Sequence, residues 1–240
     1  RNCDWSSDVC FSDLAEIFYS IQGEGLLAGV PSVFVRTSGC NLRCHWCDTP
    51  YASWKPEGPE MSIKEILCKV SEWDCHHVVL TGGEPMIAPD LPALAAALRK
   101  AGKHITIETA ATVAPKGIAC DLASLSPKLS NSTPPAERDP AWTKKHEEAR
   151  LRPEIITDWI KNYDFQVKFV VSSEKDLKEI KDLFLHLPPV PLDRILLMPE
   201  GTNLKTLASR SPWLVEICKR EGFRFCPRLH IELFGHTRGT

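Results

Sequence analysis

The chain has 240 residues, 43% of them hydrophobic and 25% charged, an ordinary globular balance with enough length for a sizeable core. Its 29 Lys and Arg stand against 31 Asp and Glu, and a net charge of −2 supplies no global basic field for a nucleic acid. No apolar run nears the roughly 18 residues of a membrane span, so neither nucleic acid nor membrane is an expected partner.

Residues 1–14 lack periodicity and carry Asp4, Asp8 and Asp13 with no apolar stretch, which does not read as a signal peptide. They are expected to be a non-native-looking or disordered leader, with Cys3 and Cys10 discounted as ligands. Residues 15–240 then form one domain. Short β-rich runs are expected at 15–19, 32–37, 77–80, 104–107, 118–121, 166–171, 194–198 and 224–229. Between them, helical spacing covers Ser62–Trp73, Asp90–Lys100, Lys175–Leu187 and Asn203–Arg220, each with a polar start or a glycine close behind its end. Strands alternating with helices imply parallel βαβ units, as a barrel-like or open sheet. Ser124–Arg138 reads as a long loop, and Trp142–Tyr163 as a solvated helix interrupted near Pro153.

Ten cysteines are many for such a chain. In a long protein with no secretory signal they point to a reducing, cytoplasmic setting and to metal ligands or catalytic groups. Cys40, Cys44 and Cys47 stand at C-x3-C-x2-C spacing directly after the 32–37 strand. The same spacing would place three thiols on one helix face, but Gly39 before and Asp48-Thr49-Pro50 behind argue for a loop. Structural zinc usually takes two paired knuckles, and there is no second C-x2-C here; His45 is the candidate fourth ligand. An iron–sulfur cluster normally takes four cysteines, so three would leave one iron open to a substrate or cofactor. Cys68, Cys75, Cys120, Cys218 and Cys226 lie in apolar contexts and read as buried thiols. His76-His77 reads as a strand edge rather than a ligand pair.

A second motif lies downstream, where an apolar strand runs into Thr81-Gly82-Gly83-Glu84-Pro85. Glycines allow close backbone approach, and a carboxylate can accept hydrogen bonds from an ammonium group. The cysteine triplet with Trp46 before its last member, followed by this Gly-Gly-Glu, resembles the radical S-adenosylmethionine (SAM) superfamily. That resemblance implies an incomplete (β/α) barrel and a [4Fe–4S] cluster held by the three thiolates. SAM would chelate the fourth iron, and an external one-electron reductant would be needed.

Within the superfamily, EIFYSIQGEG (16–25), SGCNLRCHWCDT (38–49), TGGEP (81–85), Ser126-Pro127-Lys128 and a terminal LH…G…RG segment resemble the 7-carboxy-7-deazaguanine synthases, from about Ala15 onward. The resemblance implies ring contraction of a small pterin, 6-carboxy-5,6,7,8-tetrahydropterin, with loss of ammonia, in 7-deazapurine (queuosine) synthesis. It implies Mg²⁺, SAM that is regenerated, and a homodimer. Carried over by motif, Ile21, Gln22, Gly23, Arg36 and Thr81 would meet substrate, with His230 and the terminal segment closing its pocket. Thr49 would ligate Mg²⁺. Trp46, Cys47, Asp48, Gly83, Glu84, Ser126, Pro127 and Lys128 would surround SAM, together with Met198, Pro199, Glu200 and Gly201. Glu108 is a further candidate on the SAM side. Arg36 has a chemical reason of its own, because guanidinium pairs bidentately with carboxylate. After Glu108-Thr109 the family usually has a polar residue and Gly, where this chain has Ala110-Ala111. Two other readings stay open: an activase of glycyl-radical enzymes, and a non-enzymatic zinc or iron–sulfur module.

Overall fold

The computed structural model describes residues 10–11, 14–54 and 57–240. The expectation for the remainder of the leader lies outside the described residues. Strand β1 (Cys10–Phe11) pairs antiparallel with β4 (Met61–Ser62), and β2 (Leu14–Ile21) begins with a leucine only 1% exposed. Leu14 therefore belongs to the core, one residue ahead of the expected boundary.

Eight strands form one open sheet in the order β10-β9-β8-β7-β6-β5-β3-β2. After β2 come β3 (Pro31–Thr37), the short helix α1 (Pro50–Ser53), β4, α2 (Ile63–Val70) and β5 (His77–Gly82). Then follow α3 (Leu91–Lys100), β6 (His104–Thr109), β7 (Leu122–Leu125), α4 (Pro140–Ala149) and α5 (Pro153–Asn162). Next are β8 (Phe165–Val171), α6 (Asp176–Phe184), β9 (Ile195–Pro199), α7 (Leu204–Glu221), β10 (Arg224–Phe225) and α8 (Leu229–Phe234). Among the described residues only the β2–β3 pair of this sheet is antiparallel; the other pairs are parallel, most of them joined through helical crossovers. The sheet does not close on itself, which is the incomplete barrel expected.

Two strands depart from the sequence reading. The run at 118–121 precedes its strand, which is β7 at 122–125. The run at 224–229 is strand only over two residues, and Leu229 opens α8 instead. The 142–163 stretch is two helices with a break before Pro153, and it is not merely solvated: His146, Ile156 and Trp159 are each 0% exposed.

Alternation along parallel strands decides what the two faces hold. Val35, Leu80, Ile107 and Val167 point into the apolar layer beneath α2, α3, α6 and α7. Their neighbours face the concave side. Because the strands are in register, Glu16, Arg36, Thr81, Glu108, Ser124 and Gln166 stand in one polar row across six strands.

Candidate active site

The concave face and the loops at the strand ends enclose a cavity of about 460 Å³, a size suited to small molecules. Cys40, Cys44 and Cys47 all line it. Their loop is not a helix. The Gly39 amide donates to Ala52 O (2.7 Å), and the Cys47 amide donates to Cys44 O (3.2 Å). Burial pushes the thiol of Cys40 up to about 11 and that of Cys44 up to about 12, so ligation displaces a proton at each. His45 does not line the cavity; its ring Nε2 contacts Asn131 O at 2.8 Å, which removes it as a fourth ligand. Among the described residues no three His, Cys, Asp or Glu side chains close on a single-ion centre. A tetrahedral zinc draws its thiolates to about 2.3 Å of one point, whereas a cluster gives each iron its own thiolate. Three thiols spread around one cavity fit the cluster.

The Gly-Gly-Glu turn sits against this loop. A Cβ on Gly83 would stand 2.1 Å from Gly39 O and 2.8 Å from Cys40 Cβ, so only glycine fits there. The Glu84 amide donates to Gly39 O (2.9 Å). The Glu84 side chain, however, is 0% exposed and does not line the cavity. Its carboxylate accepts from Thr109 Oγ1 (2.7 Å), the Ala110 amide (2.8 Å) and the Met86 amide (3.1 Å). Burial nevertheless holds its pKa above the ordinary carboxylate value. In this structure three donors of its own chain occupy the Glu84 carboxylate. The Ala110-Ala111 departure lies at the same spot, and Ala111 adopts φ +55°, the left-handed region natural to glycine.

Of the other expected SAM-side residues, Trp46, Asp48, Gly83, Ser126, Lys128 and Met198 line the cavity. Trp46 Nε1 donates to Asn131 O (2.8 Å), and the Lys128 ammonium stands over its ring at 5.9 Å. Pro127, Pro199, Glu200 and Gly201 do not line it. Arg210 holds the Glu200 carboxylate, and Gly201 O accepts from Arg228 (2.6 Å). Thr49 sits at the N-cap position of α1, yet its side chain makes no cap; the hydroxyl lines the cavity 4.0 Å from Cys47 Sγ.

Ile21, Gln22, Gly23, Arg36, Thr81 and His230 all line the cavity. Arg36 Nε donates to Glu16 (2.7 Å). A Cβ on Gly23 would come within 2.0 Å of His230 Nδ1, so α8 packs on that glycine. Glu108 stands beside this group: Gln22 Nε2 donates to one oxygen (3.1 Å) and Thr81 Oγ1 to the other (3.0 Å).

Sequence reasoning left three charged residues unassigned. Glu24 pairs with both Lys168 and Arg228 (Nε, 3.2 Å), and Arg228 also pairs with Asp48. All four line the cavity. Burial alone would raise the Glu24 pKa, but Lys168 and Arg228 overcome it and hold the carboxyl well below the usual range. Burial works against the Lys168 charge, and Glu24 with Glu108 restores it, leaving the pKa raised. Burial keeps His230 below its ordinary value against the pull of Glu24. The alternation Gln166, Lys168 in the otherwise apolar strand FQVKFVV was a readable signal; Arg228 carried none.

Comparison with known proteins places the chain in a family. The radical SAM superfamily pattern matches residues 34–129. A 7-carboxy-7-deazaguanine synthase of Rhodopirellula baltica is 49% identical over 228 residues, 95% of this chain and 88% of that protein. The chain belongs to the 7-carboxy-7-deazaguanine synthase family. The Halobacterium salinarum synthase is 43% identical over 235 residues, covering 94% of this chain and 91% of that one. The fold is shared with the crystal structure of QueE from Escherichia coli, with a TM-score of 0.68, 23% identity, and coverage of 91% of this chain and 94% of that chain. As a member of the synthase family the protein is a radical SAM enzyme, using a [4Fe–4S] cluster and SAM. Membership sets aside the activase and the non-enzymatic module.

Proposed function

We propose that this synthase-family enzyme converts 6-carboxy-5,6,7,8-tetrahydropterin to 7-carboxy-7-deazaguanine with loss of ammonia, for 7-deazapurine (queuosine) synthesis. One observation carries the reading: a single cavity holds the three thiols and, on the sheet beside them, Arg36, Thr81, Glu108 and Ser124 of the polar row. When bound, the cluster and SAM supply a carbon-centred radical that takes a hydrogen atom from the substrate. In this reading Cys40, Cys44 and Cys47 hold three irons, and Trp46, Asp48, Gly83, Ser126, Lys128 and Met198 receive SAM. Arg36 binds the substrate carboxylate, since guanidinium matches it in charge and shape. Glu108 and Gln22 offer an acceptor and an amide to the polar edge of the pterin. Thr49 offers its hydroxyl to Mg²⁺, which favours oxygen ligands. Residues His236–Thr240 line the mouth, where the Arg238 guanidinium lies 4.1 Å over the Tyr51 ring, and they limit the entry of water.

The same reading includes an external one-electron donor, assembly as a homodimer, and a cytoplasmic setting. Among the described residues eight cysteines stand outside any disulfide, which suits a reducing compartment. The test is anaerobic reconstitution with iron and sulfide, then incubation with SAM, reductant, Mg²⁺ and the carboxytetrahydropterin. Product of the expected mass, absent from Cys44→Ala, supports the reading. A brown enzyme that cleaves SAM but leaves the pterin untouched sinks the substrate assignment.

A further inference from the structure

Helix α4 buries one side chain, His146, which is 0% exposed. It lies 103 residues beyond Arg43 in sequence, yet the Arg43 amide, between Cys40 and Cys44, donates to its Nδ1 (3.1 Å). A backbone amide only donates, so Nδ1 is the acceptor and the ring proton sits on Nε2. Nε2 then donates to Ser132 Oγ (2.9 Å), which donates to Leu129 O (2.6 Å). The imidazole is thereby held in one tautomer and one orientation, and burial keeps it neutral. The same surface grips the neighbouring residues. Ser132 O accepts the His45 amide (2.9 Å), and Asn131 O accepts Trp46 Nε1. One turn before His146, Trp142 carries the Arg43 guanidinium 4.0 Å over its ring.

We propose that His146 is a positioning residue for the cluster loop, its Nδ1 holding the Arg43 amide so that the loop presents three thiols to one cavity. A packing residue would need only volume at this place. An acceptor aimed at the amide directly before Cys44 does more: it removes a free donor from the cluster's surroundings and sets the loop's path. Hydrogen bonds near the sulfurs tune such clusters, so the loop's shape is readable in the cluster's spectrum. The consequence rests on the cluster assignment, while the geometry does not depend on the substrate proposed above.

The test uses two isosteres. Asn places an amide oxygen where Nδ1 stood and keeps an acceptor for Arg43. Gln reaches toward the Nε2 position and loses it. In reconstituted enzyme His146→Asn is expected to retain iron under chelator challenge and keep the wild-type EPR signal of the reduced cluster. His146→Gln is expected to lose iron about tenfold faster, as one lost hydrogen bond implies, with altered g-values. Hydrogen exchange on wild-type holoenzyme supplies a reading independent of either variant's folding: the peptide spanning 41–46 is expected to retain a protected Arg43 amide. The proposal is overturned if Asn and Gln behave alike in both iron retention and EPR, or if that amide exchanges as fast as an open loop. A normal cluster signature without deazaguanine product would count against the substrate and leave His146's role standing.

Discussion

Glu24 and Lys168 form an ion pair inside the barrel, joining the turn after β2 to the middle of β8 across 144 residues of chain. Neither side chain has more than 13% of its surface exposed, and Arg228 shares the same carboxylate. A buried pair of this kind is costly to break because the surviving charges keep their desolvation penalty. Glu24→Ala is expected to lower stability by about 3–5 kcal/mol in chemical denaturation. The folded carboxyl lies below its ordinary value, so its contribution is complete above pH 4.5 and is lost as pH falls below that. Glu24→Ala should therefore flatten the acid limb of the stability profile; an unchanged limb would exclude the pair as its source.

Glu84 offers a sharp contrast between two roles. If its carboxylate serves the fold, as its three internal donors indicate, Glu84→Ala leaves Thr109 and two amides unsatisfied. The expected loss is about 2–3 kcal/mol in protein without SAM. Unchanged stability together with weakened SAM binding would instead return Glu84 to the ligand.

Arg36 tests the substrate end. Arg36→Lys keeps the charge but loses the Nε donor to Glu16 and the planar fork that matches a carboxylate. KM for the carboxypterin is expected to rise about tenfold or more, while SAM cleavage without substrate stays near wild type. Equal loss of both activities would place Arg36 in general support of the fold.

Ala111 is a stabilisation test. An alanine at φ +55° carries a left-handed penalty that glycine avoids. Ala111→Gly is expected to raise stability by up to about 1 kcal/mol, offset in part by the freer unfolded chain. A lower melting temperature would show that burial of the methyl group, which is 1% exposed, outweighs the strain.

His146 should leave a mark on stability near neutral pH. Burial first, helped by Arg150 and Lys128 against Glu147, pushes its pKa down to about 4. The unfolded imidazole titrates near 6.5, so unfolding takes up a proton between those values. Stability is full above about pH 6.5 and falls as pH drops toward 4, by about 2–3 kcal/mol. Melting curves from pH 7 to 5 should show that slope in wild type and a shallower one in His146→Asn, where His230 still contributes.

How far the sequence could be read follows the range of the interactions. The thiol loop and the Gly-Gly-Glu turn are contiguous, and their residue types announce their chemistry. The amphipathic helices are local as well: Ser62 and Glu65 close a capping box visible in the chain, and α2 begins there. The strand at 118–121 was misplaced because short apolar runs carry no period long enough to set an end. The neighbours of Glu108 were out of reach for a different reason. Its motif suggested SAM, but the register of β5 against β6 puts it beside Thr81 and Gln22.

The sequence alone determined the chemistry that belongs to neighbouring residues: three thiols on one loop, glycines where backbone meets backbone, and a strand–helix alternation that forces parallel pairing. Only the tertiary structure decided which distant side chains share a cavity. Register across six strands aligned Glu16, Arg36, Thr81, Glu108, Ser124 and Gln166, and burial decided that Glu84 turns inward while Glu24, Lys168 and Arg228 satisfy one another. The physical reason is that a buried charge must find its partner wherever the fold brings one, and the distance along the chain does not enter that energy.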